Sequence, residues 1–269
     1  ITFHFLYLIM DEKEHFERLN DYFEKSKLGY DFVLGGSKHF GFYPKNKKVS
    51  EKEAQILMQE LVAKKLKLTS KDVVLDAGCG QGLISTFLAK KYGCKIEGIT
   101  VVPFEITMAN ILAQKLNVKD KINYFLMDYN KMKFKDSNFD CIYTTETLSH
   151  SINIKKTLKE FFRVLKKGGR VAFFEYTISE NKNFSEAEMK ILDKITKASA
   201  MDGLKYFRHD KFQRLLLESG FKNIKVENIS ENTRPSLARL RRLMIIPYYL
   251  FVNPFSLQEK FPNASAAVE

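Results

Sequence analysis

Val73-Val74-Leu75-Asp76-Ala77-Gly78-Cys79-Gly80-Gln81-Gly82 decides how this chain is read. Val73 to Leu75 carry β-branched and aliphatic side chains without polar alternation, which suits a strand of a parallel sheet covered on both faces. The run stops at an acid and three glycines, so the glycines fall at the carboxyl end of that strand, where open α/β sheets bind ligands. Downstream, Leu83, Ile84, Phe87 and Leu88 recur at helical spacing, and Gly93 stops that helix after Tyr92. Two cofactors compete for such a loop. A dinucleotide asks for G-x-G-x-x-G with its pyrophosphate on the helix N-terminus, whereas here the spacing is G-x-G-x-G and Asp76 lies directly before it. A carboxylate there repels a pyrophosphate and suits a cationic amino-acid end, which favours S-adenosylmethionine.

Working outward, strands are predicted at 95–100, 122–127, 139–145 and 171–176, the second to fourth strands of the chain giving out at Thr100, Asp128 and Glu146. Helical stripes lie between them: Phe104, Met108, Ile111 and Leu112, then Ile154, Leu158, Phe161, Phe162 and Leu165, the latter closed by Lys166-Lys167-Gly168-Gly169. A capping box, Ser50 with Glu53, opens a helix carrying Ile56, Leu57 and Leu61 before the first strand. This alternation predicts an α/β fold, a Rossmann-like doubly wound parallel sheet. A further strand is expected at 224–229, with no closing strand readable after it. The chain divides into an N-terminal helical and aromatic lid (1–50), a core (51–230) and a basic amphipathic segment (231–269). In the last, Arg234, Arg239, Arg241 and Arg242 alternate with Leu237, Leu240, Leu243 and Met244.

The chain has 269 residues, 45% of them hydrophobic, enough for one large domain with additions. Its net charge of +12 suits an anionic membrane surface or anionic substrate as well as a lysine-coated soluble surface. No zinc-finger, RNA-binding aromatic or glycine-arginine pattern points to nucleic acid. Cys79, Cys94 and Cys141 show neither disulfide nor metal-ligand spacing, so a reducing, cytoplasmic compartment and no metal are expected. Residues 1–10 are apolar but too short to cross a bilayer. They also lack the flanks of a signal peptide. The oligomeric state stays open.

The order of elements across 71–229 resembles the class I S-adenosylmethionine-dependent methyltransferases, and more narrowly the sterol and tocopherol C-methyltransferases and related small-molecule tailoring enzymes. Val74 to Gly82 is similar to the family's first motif. Gly98-Ile99-Thr100 with Pro103 and Ala109-Asn110 is similar to the second-strand segment of tocopherol-type enzymes. The run Tyr30 to Tyr43, with Gly35, Ser37, His39, Phe40, Gly41 and Phe42, resembles the aromatic segment of sterol-type enzymes. The resemblance implies cofactor contacts from Asp76, Gly78, Cys79, Gly80 and Gly82. It implies others from Thr100 and Val101, Glu105 assisting where relatives usually carry an acid, Asp128 and Tyr129 at the adenine, Thr145, and Tyr22 capping the methionine carboxylate. Tyr30, His39, Phe40 and Phe42 are implied at the substrate.

Glu146-Thr147-Leu148-Ser149-His150 stands at the end of the fourth strand. Glu146 is placed to stabilise a carbocation or take a proton, and His150 to act as base or hold a hydroxyl. Backbone hydrogen bonding and helix capping are the plainer roles for this pair. The leading expectation is methylation of a lipophilic small molecule at carbon: an isoprenoid, sterol-like or prenyl-aromatic compound. N- or O-methylation of a metabolite and a non-catalytic S-adenosylmethionine-binding scaffold are the alternatives.

Overall fold

The computed structural model describes residues 12–27, 37, 39–178, 184–208, 211–258, 260 and 268. Five strands, β1 (Val73–Ala77), β2 (Lys95–Thr100), β3 (Ile122–Leu126), β4 (Phe139–Thr145) and β5 (Leu165–Phe174), pair in parallel in the order β3-β2-β1-β4-β5. The chain runs outward from β1 to β3 and then returns past β1 to β4. That reversal puts the switch point at the carboxyl ends of β1 and β4, beside the glycine loop.

Side chains of the central strands alternate between two cores. Val74 and Tyr143 pack with Val62 and Leu66 of α2 (Glu51–Leu66) and Leu88 of α3 (Leu83–Tyr92). Leu75 and Ile142 pack with Leu158 and Phe161 of α5 (Ile154–Val164) and Leu215 of α7 (Lys211–Glu218). Both faces of β1 are therefore covered, as its uninterrupted apolar run requires.

Several elements depart from expectation. The buried stripe of α2 is Ala54, Met58, Val62, Ala63 and Leu66, with Ile56 exposed and Leu57 and Leu61 on its flanks. In α4 (Pro103–Lys115), Ala109 and Ala113 are buried and Ile111 faces solvent. Small residues mark where these helices approach their neighbours most closely, and the larger ones splay to the sides. Lys166 to Gly169 do not stop a helix: α5 ends at Val164, and these residues bulge from β5 between the pairs Phe139↔Leu165 and Cys141↔Arg170. Lys166 Nζ donates to Asp140 there at 2.8 Å.

The strand expected at 224–229 does not form. Val226 is 70% exposed. Glu227 there meets Lys65 at the end of α2 (2.5 Å) and Lys225 (3.0 Å). After it, α8 (Ser230–Pro247) runs into a π-helical turn at Tyr248–Val252, whose buried side meets Val268, Met244 and Leu257 in a small separate cluster.

Residues 12–27 form α1. Asp202, just beyond α6 (Glu186–Ala198), accepts from Arg18 at 2.8 Å and lies 2.5 Å from His15 Nδ1, while Lys27 sits over the Phe104 ring of α4 at 5.4 Å. Among the described residues no helix is long and apolar enough to cross a membrane, and Cys79, Cys94 and Cys141 are buried and form no disulfide.

Candidate active site

A pocket opens at the carboxyl ends of β1 to β4, with Phe16, Leu19, Tyr22 and Phe23 of α1 on one wall. Of the sequence candidates, Tyr22, His39, Gly78, Cys79, Gly80, Thr100, Val101, Glu105, Asp128, Tyr129, Thr145, Glu146 and His150 line it. Asp76, Gly82, Phe40 and Phe42 do not, and Tyr30 lies outside the described residues.

The four exceptions have local causes. Asp76 is 2% exposed, under the loop rather than on the pocket wall. Its Oδ2 has no hydrogen-bond partner, and burial pushes its carboxyl up to about 7. Gly82 caps α3 at φ +78°, and a Cβ there would stand 2.4 Å from the Tyr124 hydroxyl, itself 2.8 Å from Ser85 Oγ. Its glycine is thus required by packing against β3. Phe40 acts through its backbone, its N–H donating to Glu146 Oε1 at 2.7 Å. Phe42 is likewise tied by its N–H to the Ala54 carbonyl of α2, 2.8 Å away. Gly78, in contrast, belongs to the site: at φ +92° it passes so close to the β4 loop that a Cβ would meet Thr147 Oγ1 at 2.2 Å.

At the end of β2, Thr100 Oγ1 donates to Glu105 Oε2 at 2.6 Å and accepts from the Val102 N–H at 3.2 Å. The first turn of α4 thereby supplies the carboxylate that the strand end lacks. At the end of β3, Asp128 Oδ1 is held by the Asn130 N–H (2.8 Å) and side chain (2.9 Å), with Tyr129 beside it donating to the Thr147 carbonyl at 3.2 Å.

Glu146 follows β4 in the left-handed region at φ +54°, a conformation that favours glycine, while its N–H donates to the Phe174 carbonyl at 2.7 Å. The turn swings its carboxylate towards residues 39–40: Oε1 takes the Phe40 N–H and Oε2 the Tyr176 hydroxyl. Burial pushes this carboxyl up to about 7, against those two hydrogen bonds. His150 Nδ1 lies 3.1 Å from the Ala200 carbonyl and so donates to it, its ring against Phe23 and Tyr22 of α1.

Sequence reasoning missed Glu175 and Tyr176, which follow β5 as Glu146 follows β4. Glu175 is half-buried and pushed up to about 8, largely by desolvation with the Glu146 charge adding. It accepts from Thr144 Oγ1 (2.6 Å) and the Leu148 N–H (3.1 Å), bracing the loop that carries Glu146. The expected strand runs to Tyr176 and so hides them; with β5 ending at Phe174 they fall at a strand end as Asp128 and Glu146 do. The pocket-lining Gln81 was also missed, because a glutamine among glycines has no distinctive spacing.

A hydroxyl and carboxylate at β2, an acid and an aromatic ring at β3, and a glycine loop over a buried acid define a nucleoside site at the switch point of an α/β sheet. S-adenosylmethionine fits these residues, because Asp76 Oδ2 and Gln81 Nε2 are buried without protein partners beneath and beside the loop that its charged amino-acid end would approach. The comparisons with known proteins agree. Residues 75–173 match the family model described as a methyltransferase domain. An S-adenosyl-L-methionine-dependent Diels-Alderase of Talaromyces variabilis is 30% identical over 256 residues, 90% of this chain and 85% of that protein. The sterol 24-C-methyltransferase of Saccharomyces cerevisiae is 28% identical over 231 residues, 82% of this chain but only 59% of the relative's length. The crystal structure of geranyl diphosphate C-methyltransferase from Streptomyces coelicolor A3(2), with geranyl diphosphate and S-adenosyl-L-homocysteine, shares the fold at TM-score 0.71 and 16% identity, covering 84% of this chain and 86% of that one. The chain belongs to the class I S-adenosylmethionine-dependent methyltransferase family. It is an enzyme of that class, and S-adenosylmethionine is its cofactor.

Proposed function

We propose that this methyltransferase acts on a lipophilic small molecule, isoprenoid, sterol-like or prenyl-aromatic, and methylates it at carbon. One observation carries the reading: beside the carboxyls Glu105, Asp128 and Glu146 and polar side chains such as His39 and His150, the pocket is lined by the apolar Phe16, Leu19, Phe23, Ile152 and Met201. A small amine would call for more acids or a cation-binding aromatic box. A sterol and geranyl diphosphate in the names of relatives point the same way.

The cofactor supplies a methyl group on a positively charged sulfur, an electrophile that needs only alignment with its acceptor. Glu105 and Asp128 bind the nucleoside, and Asp76 offers a carboxylate to the ammonium. Tyr22 and Phe23 exclude water from above. Glu146, set in a site with little water, opposes the positive charge that methylation of an alkene leaves on carbon, and its raised acidity range lets it accept a proton afterwards. The test is transfer of a labelled methyl to a panel of sterols, prenylated hydroquinones, free isoprenoids and small amines. Label on carbon of an apolar acceptor is expected; label only on amines would overturn the reading. A second reading, ring formation with the cofactor bound but unspent, is favoured by the Diels-Alderase named above, and an isomerised, unlabelled product would establish it.

We also propose that the C-terminal segment rests on an anionic membrane surface. Exposed Ile246, Tyr249, Leu250, Phe251 (61%) and Phe255 (67%) follow Arg234, Arg239, Arg241 and Arg242 on one continuous segment. Flotation with anionic but not zwitterionic vesicles is expected, and it should be lost when the four arginines become Gln. Flotation unchanged by those substitutions removes the electrostatic contact.

A further inference from the structure

His39, like Gln81, lines the pocket with a buried polar atom that has no partner. It is 4% exposed, yet its Nε2 makes no hydrogen bond. Its Nδ1 lies 3.1 Å from the Phe40 carbonyl, which can only accept, so Nδ1 carries the hydrogen and Nε2 presents a lone pair. The backbone fixes this arrangement. Ser37 Oγ accepts from the His39 N–H at 3.3 Å and donates to the His39 carbonyl at 3.2 Å, closing a tight turn around the residue. The next N–H, that of Phe40, is fastened to Glu146. The ring is thus held rigidly against the pocket and offers a single function there, hydrogen-bond acceptance.

Burial keeps it in that form against its neighbours. Glu51 of α2 favours the protonated ring only weakly against burial, which lowers the imidazole below its ordinary range. Glu146 and Tyr176 are engaged with each other and with Phe40. A buried acceptor left without a donor is costly, so a ligand that reaches it gains by bringing an O–H or N–H.

We infer that His39 Nε2 accepts a hydrogen bond from a hydroxyl of the methyl acceptor, so that the substrate is a hydroxylated lipophile and His39 determines its orientation and selection. This rests on the lipophilic-acceptor reading above and narrows it: a plain hydrocarbon or an ether of the same shape lacks the group the site asks for.

The experiment measures binding of a prenylated hydroquinone and its dimethyl ether to protein loaded with S-adenosylhomocysteine. Imidazole nitrogen resonances are followed in wild type, and affinities in wild type, His39→Phe and His39→Gln. In wild type the hydroquinone should bind roughly ten-fold tighter than the ether and move the Nε2 resonance, which the ether should not. His39→Phe should bring the two affinities together, and His39→Gln, whose amide oxygen keeps an acceptor, should restore part of the difference. Retained S-adenosylhomocysteine binding certifies that a variant is folded. Equal affinities in wild type, an Nε2 resonance unmoved by the hydroquinone, or a preference that survives His39→Phe overturns the role of His39 while leaving the lipophilic reading standing. Failure of wild type to bind either probe overturns both.

Discussion

Glu146 concentrates several effects in one side chain: a strained backbone, burial, and hydrogen bonds to both the N-terminal segment and β5's exit. Glutamine keeps an acceptor for the Phe40 N–H, so Glu146→Gln should leave cofactor affinity nearly unchanged and slow the chemical step by roughly a hundred- to a thousand-fold, the scale of one well-placed electrostatic group. Glu146→Ala also unfastens Phe40 and should weaken acceptor binding as well. Single-turnover kinetics beside cofactor calorimetry separate the two. A loss of cofactor affinity in Glu146→Gln as large as the loss in rate would make Glu146 a cofactor ligand. Glu175 acts through that loop rather than on substrate. In Glu175→Gln either orientation of the amide sets its N–H2 against a backbone N–H, that of Thr147 or of Leu148, and a hydrogen bond is lost. Melting should fall by roughly 5 °C, and turnover with it.

At the scale of elements, α1 is the cover and Asp202 its fastening. His15 and Arg18 both meet that carboxylate, and the two hydrogen bonds hold Asp202 below the usual carboxylate range. Asp202→Ala should free the first half of α1. Limited proteolysis should then cut within 12–27 faster than in wild type, and turnover should fall about ten-fold through loss of water exclusion and alignment. Unchanged cleavage and rate would show that packing of Leu19, Tyr22 and Phe23 alone holds the helix. The glycine loop is the least tolerant element. Gly78→Ala adds both a positive φ and a clash with Thr147, and should abolish cofactor binding measured by calorimetry.

Three carboxyls at one pocket, Asp76, Glu146 and Glu175, are raised by desolvation to about 7, about 7 and about 8. The folded state keeps their protons where the unfolded chain has already lost them, near pH 4. Their stabilising contribution is therefore complete at low pH and declines as pH rises from about 4 through the folded values to about 8. Asp140, Glu160 and Asp202, held low by cationic partners, act in the opposite sense but only in the acid range. The melting temperature of the cofactor-free protein should thus fall between pH 6 and 8. Cofactor binding that brings an ammonium to Asp76 favours its charged form. The melting increment given by S-adenosylhomocysteine should then grow over the same interval in wild type and stay flat in Asp76→Asn. An increment equally pH-dependent in the variant would remove Asp76 from the binding step.

The sequence by itself determined the sheet and the cofactor. The apolar run into Asp76 and the glycines, and the acids and hydroxyl at successive strand ends, are local signals, and a parallel strand buried on both faces leaves them no other place to fall. The stripes of α2 and α4 were not legible, because which face of an apolar helix meets the sheet depends on how closely it can approach. Nor was the coil at 224–229, whose Glu227 pairs with Lys65, some 160 residues away along the chain. Tertiary structure alone decided the division of labour in the site. It drew Asp76 beneath the loop and gave Gly82 to Tyr124. It joined Phe40 to Glu146 across a sequence separation of 106, and left one nitrogen of His39 without a partner. Hydrogen bonds between residues far apart in the chain leave no periodicity to read. They exist only once the sheet has brought the strand ends together.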